Sequence, residues 1–103
     1  MKAFLITPAT KSIEPVDLAS HADIATLIGY PTLESDEVGP EGDRLYFDEE
    51  CFLRGDAAAG RFQLKGVAPV QGKGLIVGAS DGGATLKDAV SDLESLSARI
   101  AFL

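Results

Sequence analysis

Short apolar runs separated by breaks rich in glycine, proline and acids predict a set of short strands with few and short helices. Lys2–Thr7 (KAFLIT) is a first strand, stopped by Pro8, which has no N–H to continue a ladder. Residues 13–16 make a second short strand, confined to a sheet edge by Pro15. A helix starts after Ser20, with Ser20 as N-cap and Asp23 in the first turn. Its apolar face is Ile24, Leu27 and Ile28, and Gly29 ends it.

Residues 30–38 alternate weakly and predict an extended edge, charged on its outer side. Gly39-Pro40-Glu41-Gly42 is a turn by composition. Residues 44–47 and 52–54 form the expected hairpin. Its connection, Asp48-Glu49-Glu50-Cys51, lacks the Asn-Gly or Asp-Gly of a two-residue turn, which predicts a longer loop and leaves the register open. A small-residue loop (GDAAAG) precedes a strand at Arg61–Leu64, and residues 74–77 (GLIV) are the best buried strand of the second half.

Asp81-Gly82-Gly83 is a turn, and residues 85–90 fit either strand or helix. Ser91-Asp92-Leu93-Glu94 matches a capping box with Ser91 as N-cap, opening a second helix with Leu93, Leu96 and Ile100 on its apolar face. Ile100 and Phe102 also alternate, so the last residues can return to a sheet. The expectation is one α+β domain over residues 1–103: a mainly antiparallel sheet of about five strands with two short helices packed on it.

Composition narrows the class. With 103 residues, 46% apolar and 24% charged, the chain has ordinary globular proportions and enough length to bury a core. It holds no apolar run of the ~18 residues that a membrane helix needs. The N-terminus also lacks the roughly 7–15 apolar residues of a secretory signal. A single cysteine, Cys51, forms no internal disulfide and suits a reducing compartment, so a cytoplasmic location is expected.

The charge is concentrated in one place. Residues 34–50 carry eight carboxylates (Glu34, Asp36, Glu37, Glu41, Asp43, Asp48, Glu49, Glu50) against Arg44 alone, which accounts for the net −7 of the whole chain. Direct binding to nucleic acid or to an anionic membrane is not expected, because no surplus of Lys and Arg exists to neutralise phosphates. Two uses of the acids remain: solubility, or a surface for a basic protein partner.

Catalytic signatures are missing or fail on spacing. GVAPVQGKG puts five residues between Gly66 and Gly72, where a phosphate loop has four, and Gly74 stands where Ser or Thr would bind magnesium. Gly72, Gly74 and Gly78 miss the dinucleotide fingerprint, with three residues in the second gap. His21 is the only histidine and Cys51 the only cysteine, too few ligands for zinc. Cys51 has acidic neighbours and reads as a small buried hydrophobe. Adjacent acids on extended chain point to opposite faces, which works against convergence on a metal. No cofactor or metal site and no catalytic residue are expected.

KAFLIT, a short helix closing in Leu27-Ile28-Gly29-Tyr30, DEECFLRG, VQGKGLIVGASDGG and SDLESL follow one another in an order that resembles a family of small uncharacterised bacterial and phage proteins, grouped as a domain of unknown function. Members often carry an Asn–Arg pair after the hairpin; here only Arg61 can stand for half of it. The resemblance implies an α+β fold and a phage or mobile-element origin, and brings no catalytic residues.

The functional expectation is a non-catalytic binding module. It meets a protein partner through an acidic hairpin face made of Glu34, Asp36, Glu37, Asp43, Arg44, Tyr46, Glu49, Glu50 and Arg54. Its sharper form is DNA mimicry, with carboxylates standing for phosphates. The alternative is a small enzyme or ligand-binding protein with a pocket for a small anion or nucleotide between the hairpin and residues 72–78, using Arg44, Arg54 or Lys73. Pairing of the residue 30–38 edge with a second copy is left open, although its charges oppose it.

Overall fold

The computed structural model describes residues 1–39 and 41–103. The expected turn at residues 39–42 includes Pro40, which lies outside the described residues. The chain runs β1 (Lys2–Thr7), β2 (Ser12–Asp17), α1 (His21–Ile28), β3 (Leu33–Glu37), β4 (Asp43–Asp48), β5 (Arg61–Leu64), β6 (Val70–Gln71), β7 (Gly74–Ser80), β8 (Thr85–Lys87), α2 (Leu93–Arg99) and β9 (Ile100–Phe102). Three single-turn 3₁₀ helices, at Pro8–Thr10, Ala57–Ala59 and Asp81–Gly83, serve as connectors.

GLIVGAS of β7 is buried at every position but the last, and this fixes its place inside a sheet with strands on both sides. The order is β2-β1-β7-β4-β3, and β8 pairs with the far end of β7 to make a sixth strand. Every pairing is antiparallel. A second sheet has the order β6-β5-β9. The fold is α+β; the main sheet has six strands, and β6, β5 and β9 form a separate small sheet beside it.

Alternation on the central strands divides the core in two. Ala3, Leu5, Tyr46, Leu75 and Val77 face α1, whose Ile24 and Ile28 cover them together with Leu18. Phe4, Ile6, Leu45 and Ile76 face the opposite way and meet Phe62, Leu64, Val70, Leu96 and Ile100 from the small sheet and α2. The result is three layers: α1, the six-stranded sheet, and the small sheet with α2. The glycines of β7 serve this packing. A Cβ on Gly74 would stand 2.5 Å from Phe62 Cζ, and one on Gly78 would stand 2.3 Å from the Asp88 carbonyl oxygen. Gly74 lets Phe62 of the small sheet pack directly on the large one, and Gly78 lets the segment after β8 pass close to β7.

The expected hairpin is corrected. Residues 44–47 do belong to a strand, but its hairpin partner is the preceding segment, with Leu33 opposite Asp48 and Glu37 opposite Arg44. Residues 49–54 form turns, closed by Cys51 N–H to Asp48 C=O (3.1 Å) and Leu53 N–H to Glu50 C=O (2.9 Å). β4 finds its other neighbour in β7, so Phe52–Leu53–Arg54 has no strand left to pair with.

The second helix starts one residue later than the capping box predicts. Asp92 is its N-cap, and the Asp92 carboxylate accepts from Ser95 N–H at 2.7 Å. Ser91 is used elsewhere: its N–H donates to Asp43 and its hydroxyl accepts from Arg99. Ser20 does occupy the N-cap position of α1, but its side chain makes no capping bond.

Candidate functional site

The eight carboxylates divide into two that β4 buries and six that stay exposed. Asp43 and Asp48 lie at the two ends of β4, the only strand of the pair with neighbours on both sides, and are 2% and 3% exposed. Asp43 accepts from Val90 N–H (2.8 Å) and Ser91 N–H (2.9 Å), fastening the chain before α2 to the sheet. Asp48 accepts from the Thr32 hydroxyl, from Glu50 N–H and from Arg54, tying the following turn to the end of β4.

The other six, Glu34, Asp36, Glu37, Glu41, Glu49 and Glu50, are exposed. Glu34 and Asp36 share one face of β3 and Glu37 takes the other, as alternation requires. Glu49 and Glu50 begin the turn that leaves β4. Of these six, only Glu37 and Glu50 form ion pairs among the described residues, with Arg44 at 3.7 Å and Arg54 at 3.6 Å. Such exposed carboxylates gain little from a pair.

Four of the nine residues expected to meet a partner are engaged by the protein's own groups. Asp43 and Tyr46 are buried, and Tyr46 Oη donates to Gly83 C=O at 3.4 Å. Arg44 donates through Nε to Ser35 Oγ (3.1 Å) and through Nη2 to Ser35 C=O (3.3 Å), stitching β3 to β4. Arg54 donates to Asp48 from Nε at 2.5 Å and from Nη2 at 3.3 Å, donates to Thr32, and stacks 3.7 Å over the Tyr30 ring. Glu34, Asp36, Glu37, Glu49 and Glu50 are the five that remain presented.

Burial alone would raise the Asp48 carboxyl. Its bonds from Arg54, Thr32 and Glu50 N–H, with the adjacent guanidinium charge, outweigh burial and hold it below the usual carboxylate range. This pair is therefore a structural joint of the turn.

Residues the pattern did not select complete the surface. Phe52 is 50% exposed and Leu53 84% exposed, side by side on the turn that carries Glu49 and Glu50. Assigned to a strand, they would have been half buried by pairing. Their one sequence signal is position: two large apolar residues between acids and Arg54-Gly55, where Gly55 takes φ +66° and closes the turn.

The three bases of the alternative pocket are not brought together. Arg44 lies with Ser35 and Glu37, while Arg54 and Lys73 line one cleft of about 280 Å³ beside the end of α1. Tyr30, Cys51 and Gln71 are also in its walls. Cys51 is buried and free. His21, exposed at the start of α1, makes a 2.9 Å hydrogen bond with Gly83 C=O. No helix is long and apolar enough to cross a membrane among the described residues.

No protein-family model, curated protein or solved structure matches the chain.

Proposed function

We propose that the protein is a non-catalytic binding module whose docking surface is the outer side of β3 together with the turn at residues 49–54. The observation that carries this reading is the exposure of Phe52 and Leu53 beside Glu49 and Glu50, with Glu34 and Asp36 on the neighbouring edge strand. An apolar pair costs solvation where it stands and repays that cost when a partner covers it. Exposed carboxylates around it attract a basic partner and raise the association rate. Apolar anchors within the charged surface favour a basic protein with its own apolar pocket. In the DNA-mimic form of this reading, that partner is a nucleic-acid-binding protein whose basic groove accepts the carboxylates.

The test is affinity capture with identification of the bound proteins, comparing wild type with two variants. One reverses Glu34, Asp36, Glu37, Glu49 and Glu50 to Lys; the other is Phe52→Ser with Leu53→Ser. Both are expected to keep the wild-type circular dichroism spectrum and to lose a common set of basic partners, with affinity falling at least about tenfold. Capture unchanged in the charge-reversed variant overturns the reading.

A further inference from the structure

We propose a second site: the cleft between the end of α1, the Pro8–Thr10 turn and the segment from Cys51 to Ala59 binds a small organic carboxylate with an apolar or aromatic body. The cleft holds about 280 Å³. That is just below the roughly 300–1,000 Å³ range of drug-sized sites and suits a ligand the size of an amino acid or keto acid.

Its walls supply the two parts such a ligand needs. Ile28, Cys51 and the Tyr30 ring give apolar surface, and Arg54 and Lys73 give cations. Arg54 is held in place before any ligand arrives. Buried Asp48 takes Nε and Nη2, and Tyr30 supports the guanidinium plane at 3.7 Å. No hydrogen bond is made from Arg54 Nη1 among the described residues, so its two N–H groups remain for a ligand oxygen. Lys73 is exposed and forms no ion pair among the described residues.

Gln71, only 5% exposed, adds a neutral donor and acceptor. Its Nε2 donates to Cys51 C=O (3.2 Å) and its Oε1 accepts from Arg61 Nε (3.1 Å), which leaves one N–H and one lone pair of the amide uncommitted.

Charge selects among anions. Two cations line the cleft and so do two carboxylates, Asp48 and Asp56, in a molecule of net charge −7. One negative charge can be matched by Lys73 and Arg54 Nη1. The nearly two charges of a phosphate group would meet Asp48, Asp56 and Glu50 with no further cation to offset them. A carboxylate is therefore favoured over a phosphorylated ligand or a nucleotide.

Heteronuclear NMR titration of the full chain tests the site, with 3-phenylpropionate and 4-methylpentanoate as probes. The amide of 3-phenylpropionate, inorganic phosphate and AMP are the comparisons. A carboxylate probe is expected to shift the amide signals of Cys51, Gln71 and Lys73, and to bind about tenfold tighter than its neutral amide. Lys73→Ala, at an exposed position, is expected to keep the wild-type spectrum and weaken binding by about the same factor. The proposal is overturned if neither carboxylate shifts these signals up to roughly 10 mM. It is also overturned if phosphate or AMP binds more tightly than both, or if Lys73→Ala binds the carboxylates as wild type does.

Discussion

Asp48 and Arg54 are six residues apart in sequence and meet because the chain turns at Cys51. The carboxylate is buried and the guanidinium only partly so, which makes the pair unequal: the acid depends on the base more than the reverse. Because the folded-state pKa of Asp48 lies below its unfolded value near 3.8, its contribution is fully present above that value. The contribution is lost as pH falls through the lowered folded-state pKa. Denaturant melts between about pH 6 and pH 2 are therefore expected to show a steeper acid loss of stability in wild type than in Asp48→Asn. At neutral pH the same substitution is expected to cost about 1–3 kcal/mol, since it removes charge-assisted bonds to Arg54. Parallel acid slopes in the two proteins would contradict this assignment. Both residues lie in one short segment of sequence, but neither the turn that pairs them nor the burial that gives the pair its weight was legible there.

At the scale of elements, β3 shows how an edge strand is kept from promiscuous pairing. Val38 N–H bonds Asp43 C=O and Glu49 N–H bonds Thr32 C=O at the two ends of the hairpin. Strict alternation then turns the backbone groups of Leu33, Ser35 and Glu37 outward. Three of these are occupied locally: Leu33 N–H by Pro31 C=O at 3.0 Å, Ser35 N–H by the Glu34 carboxylate at 3.4 Å, and Ser35 C=O by Arg44 Nη2. Glu34, Asp36 and Glu37 would set like charges against one another in an identical strand, which disfavours such pairing. The start of α2 is a second case where elements compete for the same residues. Ser91 fits the capping-box pattern, but Asp43 holds its N–H and Arg99 its hydroxyl, which moves the cap to Asp92. Thermal or urea unfolding is expected to show Asp92→Ala costing about 1 kcal/mol and Ser91→Ala less. The opposite order would restore Ser91 as the cap.

For the whole molecule, the two proposed surfaces lie on either side of the same turn. Glu49, Glu50, Phe52 and Leu53 face outward, while Cys51 and Arg54 line the cleft. The Asp48–Arg54 joint holds the turn still, so the surfaces are expected to work independently. Reversing Glu34, Asp36, Glu37 and Glu49 alone, which leaves Glu50 and its pair with Arg54 in place, should give the same NMR shifts with 3-phenylpropionate as wild type, and Lys73→Ala should capture the same partners. A loss of carboxylate binding on reversing the outer acids, beyond about twofold, would show instead that the two surfaces are coupled.

The sequence determined much by local rules. Pro8 stops β1, Gly29 at φ +94° closes α1, and the GLIV run is buried. Each follows from backbone sterics or from hydrophobic period within a few residues. The clustering of acids was equally plain, as was the splitting of adjacent acids between faces. Tertiary structure decided what local rules leave open: which strand takes which neighbour. Residues 44–47 can pair on either side in sequence, and only the sheet order places β3 on one edge of β4 and β7 on the other. That choice frees residues 49–54 as a turn, exposes Phe52 and Leu53, and buries Asp43 and Asp48 at the two ends of β4. Pairing buries backbone and side chains contributed from far along the chain, so its free energy is a property of the assembled sheet, and no short window of sequence contains it.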